Sequence, residues 1–435
     1  MFESILIACA LLIFFIVARK SREHALAIII FALPLYLVRF SVGPFPSTLL
    51  EGMILTLFAV WVADKKGVVG AWRCISEKFR QTSRTEKALH LFLFLFVLSA
   101  SISAALSPEP RAALGVWRAY AIEPALFFIV FLDTVKSPEQ VRRMISASIV
   151  SGVTIALVAV YQKFTGWNIP EPWLSERRVT GAYPYPNAVG LYLAPIVWLA
   201  LGRVQELFAE KKTKPSLGVI GASIVCILAI YFSKTEAALV ALTTTAFGVG
   251  LLWSRRSCIA TLVMSSVIIA GIVVTPSVSS TLSEKLLLRD WSGQTRLATW
   301  QETWKMLGEH PVTGAGLAGY QSVLAPYHTH DYLEIFLYPH NLILNFWSET
   351  GLYGLVSVIG VCVLLGILMT MTIRRRRGDT FVRVTTAALA AALVTILIHG
   401  LVDVPYFKND LSVFFWFLAG SVVVLHRLSR EVPRA

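Results

Sequence analysis

The chain has 435 residues, of which 56% are hydrophobic and only 15% charged. No water-soluble interior holds so much apolar side chain under so thin a charged cover, which excludes cytosolic, nuclear and secreted proteins. The formal charge of +13, from 39 Lys and Arg against 26 Asp and Glu, does not indicate nucleic acid, because the basic residues fall in short tracts between apolar runs.

In chain order the apolar runs predict an all-α, polytopic helical bundle forming one transmembrane domain over 1–435, with twelve or thirteen spans. Their centres lie in 2–18, 25–41, 47–63, 89–106, 114–132, 144–163, 187–202, 217–232, 236–253, 258–275, 342–372, 384–401 and 411–426. The first run is not a signal peptide, since its basic flank, Arg19 and Lys20, follows it. The run at 342–372 is too long for one straight crossing. Alternate loops hold 27 of the 39 Lys and Arg and the opposite set 12. By the positive-inside rule the C-terminus is then cytoplasmic, and Arg374–Arg377 is a topology anchor. Cys9, Cys74, Cys226, Cys258 and Cys362 form no CxxC pair, so neither a disulfide framework nor a zinc site is expected. No internal repeat is evident, which argues against a transporter built from inverted halves.

Three outward segments exceed a turn: 164–186, 276–341 and 402–410. The first carries Arg177 and Arg178 before the turn-forming Tyr185-Pro186-Asn187. These arginines either bind lipid headgroups or clamp a phosphate, for which the guanidinium fork is suited. In the long 276–341 loop, Leu297, Trp300, Trp304 and Leu307 recur at helical spacing, predicting a helix lying in the membrane interface with Arg296 beside its apolar stripe. Gly314, Gly316 and Gly319 form a loose G-x-G-x-x-G that follows no strand, so no dinucleotide site is expected. His328, His330, Asp331 and Glu334 could approach a metal, but nothing supplies a defined ligand set. His340, between Pro339 and Asn341 at the mouth of a span, can accept a proton from a hydroxyl or stand as an interfacial histidine. Arg118, Glu123, Lys234, Glu236, Glu349, His399 and Asp403 fall at or within spans, where charges line a cavity or pair with one another. Glu349, two turns below His340, is expected in the same cavity.

His340-Asn341, nine residues, Gly351, two residues and Gly354 make an H-N-x9-G-x-x-G pattern. With TRLATWQETWKMLGEHPVTGAGLAGY before it, RRVTGAYPYPNAVGLYLAP earlier and HGLVDVPYFKNDLSVFFWFLAG after it, the region 160–425 resembles the bacterial O-antigen ligases and related polymerases. FSKTEAALVAL departs from that pattern, with Lys234 where many members carry arginine.

The resemblance implies a multi-span glycosyltransferase of the GT-C type in a bacterial inner membrane, working on the periplasmic face in lipopolysaccharide biosynthesis. Its partners would be an undecaprenyl-diphosphate-linked glycan donor, a lipid A–core or other glycan acceptor, and membrane lipids; no cofactor is expected, and no metal, because the outward segments hold no D-x-D or tight carboxylate pair and arginines can supply the positive charge. On this reading Arg178 and Arg296, with Arg177 or Arg289 as substitutes, hold the diphosphate. His340 receives the acceptor proton, and one displacement inverts the anomeric carbon. Asn341, Glu349 and Lys234 support the site. The alternatives are a polymerase joining lipid-linked repeat units and, from another class, a transporter or flippase using Glu123 and Asp403.

Overall fold

The structure, a computed structural model, describes residues 2–275, 280, 283–285, 287–330, 332–376 and 378–431. The helices are α1 (Phe2–Lys20), α2 (Arg22–Phe31), α3 (Leu49–Asp64), α4 (Val68–Gln81), α5 (Arg84–Ala105) and α6 (Pro110–Thr134, with a π turn at Arg118–Ile122). They continue with α7 (Pro138–Thr165), α8 (Asn187–Ala209), α9 (Thr213–Phe232), α10 (Glu236–Trp253), α11 (Arg255–Val274) and α12 (Trp291–Glu309). After the short turn α13 (Tyr320–Leu324) come α14 (Leu342–Arg375), α15 (Thr380–His399) and α16 (Asn409–Glu431).

Among the described residues nine helices are long and apolar enough to cross a membrane: α5 to α10 and α14 to α16. The all-α polytopic expectation holds, and α1, α3 and α11 add apolar helices where spans were expected. The stretch 25–41 differs. There the ten-residue α2 gives way to a 3-10 turn, Leu33–Leu37, and then to an antiparallel hairpin of β1 (Arg39–Val42) and β2 (Phe45–Thr48). Pro34, at the start of the 3-10 turn, lacks the N–H an α-helix needs. Ten residues make only about 15 Å of helix, so the expected single helix is replaced by a composite segment. The structure also adds α4 inside the expected 64–90 loop.

Local chemistry sets the boundaries. Ser137 and Gln140 form a capping box at the start of α7, and Gly166 ends it at φ 68°. Asp379 caps α15 through Val382 N–H. α16 is the central helix, buried along Val413–Leu425, with Phe131 and Phe128 of α6 packed edge-on against Phe417 and Trp416.

The long α14 is broken at Gly351 (φ 69°, ψ 178°). The break frees backbone groups, and the 312–315 segment takes them up: Leu352 N–H donates to Val312 C=O at 3.0 Å and Ala315 N–H to Ser348 C=O at 2.7 Å. A Cβ on Gly351 would lie 2.3 Å from Val312 O, and one on Gly314 (φ 63°) 2.3 Å from Trp347 O. Gly351 and Gly314 are therefore where two backbones touch.

Candidate functional site

His340 sits in the last loop residue but one before α14, at φ 49°. Asn341 caps that helix, accepting from Ile343 and Leu344 N–H at 3.0 and 3.1 Å, while its Nδ2 donates to Leu401 C=O at 3.0 Å. Leu342 N–H donates to Gly400 C=O at 2.7 Å. The 340–342 segment is thus tied to the turn that follows α15. Trp300 Nε1 of α12 donates to Pro339 C=O at 2.8 Å and holds the loop from the other side. The imidazole packs against Tyr338 and Phe336, ring centroids 4.8 and 5.3 Å away, with Nδ1 3.8 Å from Asp403 Oδ1.

Asp403 is the hub. It is buried, and Asn187 Nδ2, at the first residue of α8, donates to its Oδ2 at 3.3 Å. Burial pushes the Asp403 carboxyl up, but His340, His399 and its own backbone contact with Val404 outweigh it and hold the group below the usual carboxylate range.

Asn187 Oδ1 in turn accepts from Arg178 Nη2 at 3.0 Å. Arg178 also donates from Nε to Ser233 C=O at 3.0 Å, lies 3.6 Å from Glu176, and stacks its guanidinium 5.1 Å from the Trp173 ring. From α12, Arg296 Nε donates to Val402 C=O at 3.1 Å, one residue from Asp403, and its Nη1 to Ser292 Oγ at 2.7 Å. The 400–403 turn, which carries Asp403, is thus approached by His340 and Arg296 directly and by Arg178 through Asn187.

The remaining expected residues divide. Lys234 is at the margin, its Nζ donating to Glu176 C=O at 2.7 Å beside Arg178. Arg177, at φ 54°, and Arg289 are exposed, and among the described residues neither side chain is drawn into the network. Glu349 accepts from Ala318 N–H at 2.7 Å and so belongs to the glycine-rich 314–319 segment. It lines a cavity of about 850 Å³ shared with Arg39, Tyr120, Tyr185, Tyr338 and Lys408. Tyr338 touches His340 and also lines this cavity, so the tyrosine stands between the imidazole and that space. Arg118 and Glu123, also on its wall, pair with Glu51 and with Asn409 Nδ2.

Of the stripe expected on α12, Trp304 is exposed and edge-on to Trp347. Leu307 and Met306 are buried in a small core with Tyr320 and Leu344 instead, because the first turns of α14 cover them. Glu302 on that helix was not anticipated. It receives Thr329 N–H at 2.8 Å, His330 Nδ1 at 2.7 Å and His328 Nδ1 at 3.1 Å. Burial pushes its carboxyl up, but the Thr329 N–H and the two imidazoles bring it down to about 2. The histidines considered for a metal are thus engaged with a carboxylate, Asp331 lies outside the described residues, and among the described residues no group of three or more His, Cys, Asp or Glu is arranged to hold a metal ion. All five cysteines are free thiols.

Fold and site define a polytopic membrane protein with a cationic, imidazole-bearing cluster at one end of its bundle. Residues 221–359, about a third of the chain, match the family model described as O-antigen ligase, which supports its placement in the O-antigen ligase superfamily, a ligase and polymerase group. The matched stretch contains Lys234, Arg296, His340, Asn341, Gly351 and Gly354; Arg178, Asn187 and Asp403 lie outside it. No curated protein matches the chain.

Proposed function

We propose that the chain transfers a glycan from undecaprenyl diphosphate to a sugar of lipid A–core, at the periplasmic face of a bacterial inner membrane. The observation that supports this reading best is the network Arg178–Asn187–Asp403–His340, with Arg296 bound to the same turn. It offers what the chemistry requires: fixed cations for a leaving diphosphate and an oriented acceptor for one proton.

The acceptor hydroxyl oxygen forms the new bond to the anomeric carbon as the carbon–oxygen bond to the diphosphate breaks. The leaving oxygen takes the bonding pair, and Arg178 and Arg296 neutralise that charge. His340 takes the hydroxyl proton, and Asp403 acts as a positioning residue that steadies the imidazolium. Attack from the face opposite the leaving group inverts the centre. Diphosphate is a good leaving group, so no second carboxylic acid is needed, unlike in a glycosidase. The cavity on the far side of Tyr338 from His340 is the space we assign to the glycan.

The test is the product made by purified protein in nanodiscs from undecaprenyl-diphosphate glycan and lipid A–core, with EDTA and without nucleotide. Glycan on the core supports the ligase. Lengthened lipid-linked chains with unmodified core would make the protein a polymerase, and no product from folded protein would return attention to a transporter.

A further inference from the structure

About 33 Å of helix, the length of the 22-residue α5, separates the His340 end from the opposite end of the bundle. There α4 is amphipathic, with Val68, Val69, Trp72 and Phe79 exposed and only Ala71 buried. An apolar face left open on a membrane protein beside the ends of its spans suits the interfacial layer.

Two cavities meet beneath α4, sharing Lys78, Thr82, Leu132 and Arg427 as walls. One, of about 510 Å³, is ringed by Lys78, Lys136, Arg427 and Arg430 around the single carboxylate of Glu86. The other, of about 620 Å³, is walled mainly by Trp61, Trp72, Ile75, Phe79, Phe94 and Phe128. Phe94 and Leu91 at its edge are exposed on the outer surface of α5.

The local carboxylates are oversubscribed. Buried Glu86 takes Arg427 at 3.0 Å and Arg430 at 3.9 Å, while Asp133 takes Arg22 and Lys65, each at 3.0 Å, as well as Lys78. Arg22 also reaches Asp64, which pairs with Arg19, so six cations share three acids, and with exposed Lys136 beside them they leave surplus positive charge at the mouth of an apolar groove. A soluble anion would use the charge and leave the groove open. A molecule with a phosphate head and an acyl tail matches both halves.

We propose that this end of the bundle holds an anionic phospholipid of the surrounding leaflet, its phosphate among Lys78, Lys136, Arg427 and Arg430 and an acyl chain in the groove under α4. The site is independent of the reaction at His340.

The experiment is native mass spectrometry of the full chain in detergent, titrated with phosphatidylglycerol or phosphatidylcholine of identical acyl chains. Wild type should retain the anionic lipid about tenfold better, and Lys136→Ala/Arg430→Ala should bring the two lipids close to parity. Lys136→Arg/Arg430→Lys, which keeps the charges, should restore the preference, and Trp72→Ala should weaken both lipids together. Equal retention of the two lipids by wild type, or an undiminished preference in the double alanine variant, would overturn the proposal. So would displacement of phosphatidylglycerol by millimolar inorganic phosphate, which would make this a site for the soluble anion.

Discussion

Asp403→Asn isolates the link between the carboxylate and the imidazole with little change of shape. The amide oxygen can still accept from Asn187 Nδ2, so the 400–403 turn should keep its anchor. What is lost is a negative charge 3.8 Å from His340 Nδ1. At an effective dielectric of about 20, two unit charges at that separation interact by about 4 kcal/mol. His340 is partly exposed, so a working figure is about 3 kcal/mol. The positive charge develops only as the acceptor proton arrives, so the loss falls on the transition state. It should lower kcat about 100-fold, with donor KM within about threefold of wild type. The assay is steady-state transfer in nanodiscs. A kcat within about threefold of wild type would refute the role given to Asp403.

Arg178→Ala should raise donor KM and lower kcat together, by about 100-fold in kcat/KM, and Arg178→Lys should recover little because an ammonium cannot reproduce the fork to Asn187 and Ser233; Arg177→Ala, in the same assay, should stay within about threefold. Glu302→Gln should cost about 2 kcal/mol by weakening the hold on 328–330, read as a lower Tm by tryptophan fluorescence. Because the Glu302 carboxyl is brought from its ordinary 4.5 to about 2, its stabilisation is fully present above pH 4.5 and is lost as pH falls towards 2. Wild-type Tm should therefore fall more steeply than that of Glu302→Gln over that window. Gly351→Ala places a Cβ 2.3 Å from Val312 O at positive φ, and should cost about 3 kcal/mol, measured as lost thermal stability in detergent.

The bundle was legible because a span is a local property of about 20 residues, and its apolar length can be read without knowing its neighbours. The 25–41 stretch failed because a window average does not register what Pro34 does to the backbone. α4 was passed over as a basic loop, although Val68, Trp72, Ile75 and Phe79 stand at helical spacing. At the site, His340 and Asn341 were recognisable from position and pattern. Asp403 stood out only as one charge among several near spans, and Asn187 only as a turn residue, because their meeting joins positions more than 200 apart. Arg177 and Arg178 were nearly equivalent as neighbours; the positive φ at Arg177 and the Trp173 and Asn187 contacts of Arg178 distinguish them. Glu349 was placed below His340 by helical periodicity, which carries no sign of the segment whose Ala318 N–H it accepts.

The central claim is that His340 takes a proton during transfer and does not merely hold the donor. Its most direct test is His340→Ala, comparing donor affinity by equilibrium binding with single-turnover transfer to the acceptor. The account predicts donor Kd within about threefold of wild type and transfer reduced by at least about 100-fold. Transfer that survives the substitution, or a loss of activity matched by an equal loss of donor affinity, would contradict it.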